Sequence, residues 1–383
     1  MKNSFDLIVV GGGVLGTFHA YHAVKAGLNV LHIEKDAYPV NATVRNFGQV
    51  VPSGLGEKWF QLGVRSTEIY KSIQAEANIS IRQNGTVYIA SDDQEQQLIH
   101  ELKSVMDNRG YDCQLLNQAQ TLEKWPALQA GYVRESIFFP NEVSAEPTQT
   151  IGQLQAYIKS RFKNYSNLNL TTAIDCTEEA GGVKLLTHKK EVFTASRIMV
   201  CSGAEFKILF PEFFDQSGIV VSKLQMMRTM PMPQVKLEGN ILTGLSIRRY
   251  ESFTELPSFS KLTTPDSLAE LKKWGVHILF KKGMDGSIII GDSHEYAEAN
   301  QVDDLGYRIN SHINELMLKE ASRIVNFDVR SITETWAGYY PQHPTQDIVE
   351  KDITDRIHIR TAIGGKGMTS SAGYAEQSIK ELI

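Results

Sequence analysis

A strand, a glycine turn, a helix and a second strand open the chain, and this unit restricts the possible folds more than any other stretch. Residues 5–10 form a short apolar, β-branched run, as expected of a strand that is buried on both faces. The run ends at a G-x-G-x-x-G pattern, Gly11 to Gly16, and residues 14–26 then predict a helix without proline. Residues 28–33 predict the second strand, and Glu34 stands at its end. The order of these elements predicts an α/β fold.

The glycines of this pattern have separate physical roles in a dinucleotide-binding turn. Gly11 permits the sharp turn, Gly13 lets the backbone approach a pyrophosphate, and Gly16 lets the helix pack close to the strand. Amide groups at the helix start then face the two phosphates. Glu34 can accept hydrogen bonds from both hydroxyls of an adenosine ribose, which favours FAD or NAD over NADP. The alternative interpretation is a glycine-rich turn in another α/β fold.

Length and composition are those of an ordinary globular protein. With 383 residues, of which 42% are hydrophobic and 22% charged, the chain suits two domains or one large composite domain. It contains no run of 18 apolar residues and enters a strand within its first five residues. We therefore expect neither a membrane span nor a signal peptide, and a cytoplasmic location.

Charge and cysteine content exclude several kinds of partner. The formal net charge of −5 and the lack of a dense Lys/Arg cluster argue against nucleic acid and favour small molecules as ligands. Cys113, Cys176 and Cys201 are widely spaced and form no C-x-x-C motif, so we expect reduced thiols rather than a disulfide framework or a zinc site. We assign no metal ligands.

Three later segments can return to the dinucleotide, because a cofactor with two phosphates needs close backbone on more than one side. Residues 41–52 form a donor-rich loop directly after the first unit, and residues 197–204 predict a strand that runs into small residues. Residues 357–369 predict a strand and a glycine-rich turn before a helix over 370–382. The alternative interpretation of the first segment is a solvated loop.

The middle of the chain predicts a second, antiparallel sheet. Strand patterns recur between residues 222 and 296, including residues 244–250, and we expect these strands to form the floor of a substrate pocket. Asn84-Gly85 predicts a two-residue hairpin turn, and residues 303–324 predict one continuous helix.

With both ends of the chain in view, the sequence resembles the D-amino-acid oxidase, glycine oxidase and sarcosine oxidase superfamily of FAD-dependent amine oxidoreductases along its whole length. The segments that carry the resemblance are the first glycine turn with Glu34, Cys201-Ser202-Gly203-Ala204, Ile288-Ile289-Ile290-Gly291-Asp292, Trp336-Ala337-Gly338-Tyr339-Tyr340-Pro341 and Gly364-Gly365-Lys366-Gly367-Met368-Thr369. The resemblance implies a Rossmann-type (GR2-like) FAD-binding domain beside an antiparallel β-sheet substrate domain. The first domain is expected at residues 1–80, 140–220 and 340–383, and the second at 81–139 and 221–339.

The resemblance also assigns a set of cofactor contacts. Non-covalent FAD is expected at Gly11, Gly13, Val14, Leu15, Gly16, Glu34, Lys35, Arg45, Asn46, Phe47, Gly48, Gln49, Ser202, Gly203, Gly364, Gly365, Lys366, Gly367, Met368 and Thr369. The N-terminus of the last helix would then stabilise negative charge on the reduced flavin ring.

A narrower resemblance is to a bacterial branch that is associated with phosphonate metabolism. It is carried by the strings VRNFGQV at 44–50, KLQMMRT at 223–229 and GDSHEY at 291–296. It implies a substrate such as 2-aminoethylphosphonate, its N-methyl derivative or a hydroxylated relative.

Two departures from the wider family affect these expectations. Glycine and D-amino-acid oxidases carry a carboxylate-binding arginine near the segment that matches 338–341, where this chain has Tyr339 and Tyr340. Sarcosine oxidase attaches its flavin to a late cysteine, but no cysteine follows Cys201 here. The substrate anion therefore needs other donors, and that covalent link is not available.

The implied reaction needs orientation more than acid–base groups. The neutral amine loses a hydride from its α-carbon to flavin N5, and water hydrolyses the imine to a carbonyl product and an amine or ammonia. Arginine suits the anionic group because its planar fork bonds two oxygens at once. The residues expected to bind substrate or act in catalysis are Arg45, Arg248, Arg249, Gln225, His294, Tyr296, Tyr339, Tyr340 and Lys366. For each of them a structural ion pair, a core contact or a solvated side chain is the alternative.

Other functions remain open at the level of the sequence. The same fold could pass electrons to a quinone instead of molecular oxygen, or oxidise glycine, sarcosine or a D-amino acid. A flavoprotein that modifies nucleic acid is disfavoured by the acidic balance. A non-catalytic dinucleotide-binding module is a further alternative, and the oligomeric state is not predicted.

Overall fold

The computed structural model describes residues 4–383. Its α-helices, numbered in chain order, are α1 Val14–Lys25, α2 Glu57–Glu76, α3 Asp93–Asn108, α4 Gln118–Lys124, α5 Pro147–Arg161, α6 Pro211–Asp215, α7 Gly244–Ile247, α8 Glu251–Thr254, α9 Ala269–Lys273, α10 Ser311–Ile324 and α11 Gly367–Leu382. Short 3-10 helices occupy Ala42–Val44, Pro52–Gly54, Phe259–Lys261, Asp266–Leu268, Ala299–Leu305 and Gly364–Lys366. Over this range no helix is both long and apolar enough to cross a bilayer.

The β-strands lie between these helices. They are β1 Ser4–Val10, β2 Val30–Ile33, β3 Gln49–Val50, β4 Ile81–Arg82, β5 Thr86–Ala90, β6 Gln114–Asn117, β7 Glu135–Phe139, β8 Val143–Ala145, β9 Tyr165–Leu168, β10 Ala173–Glu179, β11 Gly182–Thr187, β12 Val192–Val200, β13 Val220–Thr229, β14 Asn240–Leu242, β15 Leu279–Lys282, β16 Ile288–Gly291, β17 Glu295–Glu298, β18 Ile332–Gln342, β19 Val349–Asp352 and β20 Ile357–Thr361.

The first sheet has a parallel centre whose spatial order is β9-β2-β1-β12-β20. β12 is long enough to pair with β11 through residues 192–195 and with β20 through residues 198–200. The strand order reverses between β1 and β12, and ligands of such sheets bind beyond the carboxyl ends of the strands at that point. This arrangement confirms the predicted α/β class.

The apolar run of β1 is buried on both faces of this sheet. Leu7 and Val9 pack on one face in a core that includes Phe18 of α1 and Ile379 of α11. Ile8 packs on the other face in a separate core. Burial on both sides explains why the run shows no polar alternation.

The second sheet is mainly antiparallel and is built around the long strand β13, which pairs with β16, β17 and β18. One exception is the parallel pair of β5 and β14. β18 leads from this sheet back to β19 and β20 of the first sheet, so the ends of both sheets meet around Tyr340 and Pro341. The expected domain boundaries stay a prediction.

Three local predictions were wrong. Asn84-Gly85 does not close a hairpin: β4 pairs with β8, whereas β5 pairs with β7 and β14, because the chain passes from one sheet to another at this point. Residues 244–250 form α7 and a turn instead of a strand, since the amides of Ser246 and Ile247 bond back to the Thr243 carbonyl. The predicted helix 303–324 begins only at Ser311. Gly306, five residues earlier, has a positive φ of +54°, which is incompatible with a continuous right-handed helix.

Close packing of α1 on β1 makes a stability prediction at Gly16. A Cβ added there would lie 2.0 Å from the Gly11 carbonyl oxygen, whereas one at Gly152 of α5 would meet nothing within 4 Å. We expect Gly16→Ala to destabilise the protein by about 1–3 kcal/mol through overpacking. Gly152→Ala should be neutral or stabilise by up to about 1 kcal/mol. Urea unfolding of both variants checks this, and equal stabilities would contradict the close packing.

Candidate functional site

A continuous cleft lies beyond the carboxyl ends of the parallel strands and reaches the second sheet. It consists of a larger cavity of about 510 Å³ and a smaller one of about 130 Å³. Residues that border both are Gly13, Ala42, Thr43, Cys201, Gly203 and Pro341. The two cavities share these lining residues and are therefore adjacent.

The backbone of the first glycine turn faces this cleft without covering side chains. Gly11 has φ +110°, and a Cβ there would lie 2.2 Å from the Cys201 carbonyl oxygen. Gly13 is the N-cap residue of α1 and carries no capping side chain, and the Val14 amide donates to Oγ1 of Thr43 at 3.0 Å. The amides of Gly13 and Leu15 have no partner among residues 4–383. These donors can bind an anion at the helix start.

Glu34 and Lys35 line the smaller cavity. Glu34 is buried, and its carboxylate accepts hydrogen bonds from the amides of Gly12 at 2.7 Å and Asp36 at 2.9 Å. Lys35 pairs with Asp36 at 2.9 Å. Each carboxylate oxygen of Glu34 can accept a second bond, so the residue can still meet a ribose hydroxyl in this cavity.

The loop that contains residues 41–49 is fixed by its own amide side chain. Asn46 donates to the carbonyls of Ala42 and Thr43 and accepts from the Gly48 amide at 2.6 Å. Asn46, Phe47, Gly48 and Gln49 all line the larger cavity. Nε2 of Gln49 is buried without a hydrogen-bond partner in the described chain. A buried amide donor costs free energy unless it is satisfied, which points to a ligand acceptor in the cavity.

The last glycine turn borders the same cavity. All six residues expected there, Gly364, Gly365, Lys366, Gly367, Met368 and Thr369, line it. A Cβ on Gly367 would lie 3.6 Å from Cγ1 of Val14, so the first and last glycine turns are direct neighbours. Nζ of Lys366 lies 2.5 Å from Glu251 and 3.2 Å from Asp347.

The turn after β12 lies between the two cavities. Gly203 has φ +59° and lines both, while Ser202 lines the smaller one and donates its hydroxyl proton to the Glu205 carbonyl. Gly11, Gly13 and Gly203 therefore surround the point at which the cavities join. Gly16 packs behind this turn and lines neither cavity.

A polar cluster faces the larger cavity from the second sheet. His277, Asp292 and His294 place their ring nitrogens and carboxylate within 4.8 Å of one another, with Nε2 of His277 2.8 Å from Oδ1 of Asp292. Nδ1 of His294 donates to the Gly275 carbonyl at 3.0 Å. Burial lowers the pKa of His294 to about 3, so this imidazole is neutral near pH 7.

Asp292 is a buried carboxylate that stays ionised. Burial opposes its ionisation, but His277, His294 and Arg249 together hold its pKa below the ordinary value. Within residues 4–383 no Lys or Arg side chain lies within 4.0 Å of its carboxylate. Its negative charge therefore faces the cavity without a fixed cationic partner.

Arg249, Tyr250 and Tyr340 complete the polar wall of the larger cavity. Arg249 is exposed and donates to the Tyr296 hydroxyl at 3.1 Å. Burial and the nearby Asp292 raise the pKa of both Tyr250 and Tyr340, so their hydroxyls stay protonated. The Tyr340 hydroxyl donates to the Arg45 carbonyl at 3.0 Å.

Five expected substrate or catalytic residues do not line the larger cavity: Arg248, Gln225, Tyr296, Tyr339 and Arg45. Arg248 donates to Glu95 and Asp92, each at 2.5 Å, and to the Thr263 carbonyl. The Gln225 amide is fully engaged by Asn310 and Asn314. Tyr296 is half exposed and Tyr339, whose hydroxyl donates to the Gly306 carbonyl, lines the smaller cavity. Because the chain turns at the end of α7, Arg249 lines the larger cavity and the adjacent Arg248 does not.

Arg45 lines neither cavity. Its guanidinium donates to the carbonyls of Val40 at 2.6 Å and Ala337 at 3.0 Å. Its own carbonyl accepts from Trp336 and Tyr340. Arg45 therefore connects the loop of residues 41–49 to β18 and does not line the larger cavity.

The sequence reasoning missed His277, Asp292 and Tyr250 as site residues. His277 lies between Val276 and Ile278, which pack in the core of the second sheet, so its side chain points to the opposite face. The backbones of His277 and Asp292 pair with each other at the end of that sheet. The available sequence signal was the polar residue in each apolar segment: His277 between Val276 and Ile278, and Asp292 directly after residues 288–291.

The two neighbouring arginines make a stability prediction. Arg248 is the cationic partner of Glu95, which is 2% exposed, so Arg248→Met leaves a buried carboxylate unpaired. We expect a loss on the order of 3 kcal/mol in the free energy of unfolding. Arg249→Met removes an exposed group and should change it by less than about 0.5 kcal/mol. Urea unfolding measures both, and a larger loss for Arg249→Met would contradict the assignment.

The chain is similar to several known proteins. The chain is similar to N-methyl-L-tryptophan oxidase of Yersinia pestis (strain Pestoides F), with 26% identity over 217 residues, which are 54% of this chain and 56% of that protein. The chain thus spans about half the length of the curated relatives it matches.

Solved structures share the fold at low sequence identity. Glycine oxidase from Geobacillus kaustophilus aligns with a TM-score of 0.76 and 16% identity, covering 100% of this chain and 95% of that one. Iminodiacetate oxidase from Chelativorans sp. BNC1 aligns with a TM-score of 0.72 and 17% identity, covering 98% and 95%. L-alpha-glycerophosphate oxidase from Mycoplasma pneumoniae, solved with FAD bound, aligns at 0.77 and 13%, covering 100% and 95%.

A family model spans nearly the whole chain, including both glycine turns and the strands between them. It matches residues 6–379 and is described as DAO, FAD dependent oxidoreductase. The chain therefore belongs to the DAO family of FAD-dependent oxidoreductases.

Proposed function

We propose that this protein oxidises the CH–NH bond of a small zwitterionic amine with FAD as cofactor. The substrate class is an aminophosphonate: 2-aminoethylphosphonate or its N-methyl or hydroxy derivative. The observation that carries the proposal is that two neighbouring glycine turns border the same cavity as Arg249 and Asp292. A dinucleotide in the cleft and a small molecule with both charges can then be in contact.

The residues present fit FAD. Unpartnered amides of Gly13 and Leu15 suit a pyrophosphate, and Glu34 lies in the smaller cavity where an adenosine ribose would be held. In the larger cavity, the unpartnered Nε2 of Gln49 and the N-terminus of α11 suit the polar edge of a flavin ring. When bound, the flavin supplies the acceptor for the hydride that leaves the substrate carbon.

The chain's own residues bind and orient the substrate. Arg249 supplies a fork of donors for two phosphonate oxygens, and its exposed position lets the anion enter from solvent. The neutral hydroxyl of Tyr250 offers a further hydrogen-bond donor inside the cavity, whereas that of Tyr340 already donates to the Arg45 carbonyl and can only accept. The N-terminus of α11 favours negative charge at the cofactor end of the cavity, whereas the charge of Lys366 is already paired with Glu251 and Asp347. Water then hydrolyses the imine.

Two alternatives remain as outcomes of the same test. One is the oxidation of glycine, sarcosine or a D-amino acid, and the other is a dehydrogenase that passes its electrons to a quinone. The relatives named above as N-methyl-L-tryptophan oxidase and iminodiacetate oxidase support oxidation of a secondary amine. A cytoplasmic location remains part of the proposal.

The substrate test is anaerobic bleaching of the purified yellow protein. Glycine, sarcosine, D-alanine, 2-aminoethylphosphonate and its N-methyl form are compared at equal concentration. We expect the phosphonates to reduce the flavin fastest, and air to regenerate the yellow form with production of hydrogen peroxide. Bleaching by D-alanine alone would overturn the aminophosphonate class, and turnover with a quinone but not with oxygen would identify a dehydrogenase.

Anion binding by Arg249 makes a second prediction. We expect Arg249→Met to weaken the binding of 2-aminoethylphosphonate about 10- to 100-fold, because hydrogen bonds to charged groups contribute roughly 1.5–3 kcal/mol. The control is Arg330→Met, which removes an exposed arginine paired with Glu315 far from the cavity. Unchanged substrate affinity in Arg249→Met would exclude this residue as the anion donor.

Cofactor attachment makes a third prediction. Cys201 lines the cleft, but burial raises the pKa of its thiol to about 12, so it stays protonated and unreactive. We expect acid precipitation to release all of the FAD into the supernatant. Flavin that stays with the precipitated protein would show a covalent link.

A further inference from the structure

We propose that Asp292 is a catalytic residue whose fixed negative charge stabilises the cationic iminium that forms when the substrate amine loses its hydride. This inference rests on the proposed function, which names amine oxidation but gives no role to the buried carboxylate. Removal of a hydride from the carbon of a neutral amine leaves one positive charge, shared by that carbon and the nitrogen. An anion that is already in place can stabilise this charge without reorganisation.

The position of Asp292 supports this role. It follows β16 directly, is 5% exposed and lines the larger cavity together with Gln49 and Thr369. The segments that suit the flavin and this carboxylate therefore border the same cavity. A small amine between them has its nitrogen within reach of the negative charge.

Comparison with another buried carboxylate argues against a purely structural role. Glu95 is 2% exposed and is compensated by Arg248, at 2.5 Å, and by the Ser91 amide and hydroxyl. Asp292 is equally buried, but its close side-chain contacts are with imidazoles only, His277 at 2.8 Å and His294 at 3.9 Å. The neighbouring imidazoles and Arg249 hold this carboxylate ionised, and it lines the cavity, so its charge is available to a cationic group there.

The neighbours keep Asp292 ionised and fix its direction. Nε2 of His277 lies 2.8 Å from Oδ1 of Asp292, and Nδ1 of His277 lies 3.4 Å from the Ser246 hydroxyl. The backbone amide of Asp292 also donates to the His277 carbonyl at 2.9 Å. His277 is therefore a positioning residue that acts through Asp292. The lowered pKa of Asp292 agrees with a charge that is present at neutral pH.

The charge balance of the step is simple. The C–H bond breaks, its electron pair leaves with the hydrogen as hydride to the oxidised cofactor, and a C=N double bond forms from the nitrogen lone pair. The ammonium form of the substrate loses one proton to solvent before this step, and Asp292 neither gains nor loses a proton. Its carboxylate and the iminium form an ion pair that lasts until water attacks the carbon and the imine is hydrolysed.

The test compares isosteric and charge-preserving substitutions in the holoenzyme. Stopped-flow reduction by 2-aminoethylphosphonate gives the limiting rate and the apparent Kd for wild type, Asp292→Asn and Asp292→Glu. We expect Asp292→Asn to lower the limiting rate about 10²-fold or more. Asp292→Glu should recover part of that loss, because it restores the charge in a shifted position. His277→Gln should lower the rate less than Asp292→Asn, since the carboxylate remains.

A binding measurement separates catalysis from structure. Ethylphosphonate carries the anion but no amine, and its Kd can be read from the absorbance change of the bound flavin. We expect wild type and Asp292→Asn to bind it equally and to contain equal amounts of FAD. The histidine control is His100→Gln, which removes an exposed imidazole paired with Glu135.

The outcomes distinguish this inference from the proposed function. A rate loss below tenfold in Asp292→Asn, or a parallel loss of ethylphosphonate binding, would overturn the role of Asp292 while leaving amine oxidation intact. A wild-type protein that no amine bleaches would overturn the proposed function and the inference with it.

Discussion

Contact between bare backbone segments is the constraint on which the site depends. Gly16 of α1 lies against the Gly11 carbonyl, and Gly11 lies against the carbonyl of Cys201, so no side chain fits at either point. This packing brings α1, β1 and β12 together and leaves the amides at the helix start facing a cleft. Gly367 then places the last helix beside Val14. The two ends of the chain can therefore hold one cofactor, although more than 300 residues separate them.

The charged residues of the second sheet differ mainly in whether they are compensated. Arg248 and Glu95 neutralise each other in a buried pair, and the guanidinium of Arg45 donates hydrogen bonds to two backbone carbonyls. Arg249 and Asp292 line the larger cavity and have no Asp, Glu, Lys or Arg partner within 4.0 Å in the described chain. Charges with internal partners hold the fold, whereas charges left to the cavity can meet a substrate. The proposal of a zwitterionic substrate rests on Arg249 and Asp292, the charges that line the cavity.

Much of the fold and the cofactor side of the site could be predicted from the sequence. The glycine spacing, the strand before it and Glu34 after it impose one local geometry, and Gly11, Gly13 and Glu34 all line the cavities beyond that strand. The helix N-terminus after Gly364 also follows from local pattern. Such motifs are predictable because each residue's role is fixed by its near neighbours in the chain.

The substrate side could not be predicted in the same way. Arg248 and Arg249 are adjacent and chemically identical, and only the turn that follows α7 decides which one faces the cavity. Gln225 looked available but is buried against Asn310, 85 positions along the chain. His277 and Asp292 approach each other only through pairing at the end of the second sheet. Roles that depend on distant partners need the fold before they can be assigned.

The most direct measurement is a crystal structure of the dithionite-reduced protein with FAD and 2-aminoethylphosphonate, which cannot be oxidised in that state. The account predicts that the flavin ring lies between the first and last glycine turns, with the phosphonate at Arg249 and the amine nitrogen on the side of Asp292. A flavin ring outside the larger cavity, or a substrate bound with its amine at Arg249 and its phosphonate at Asp292, would contradict it.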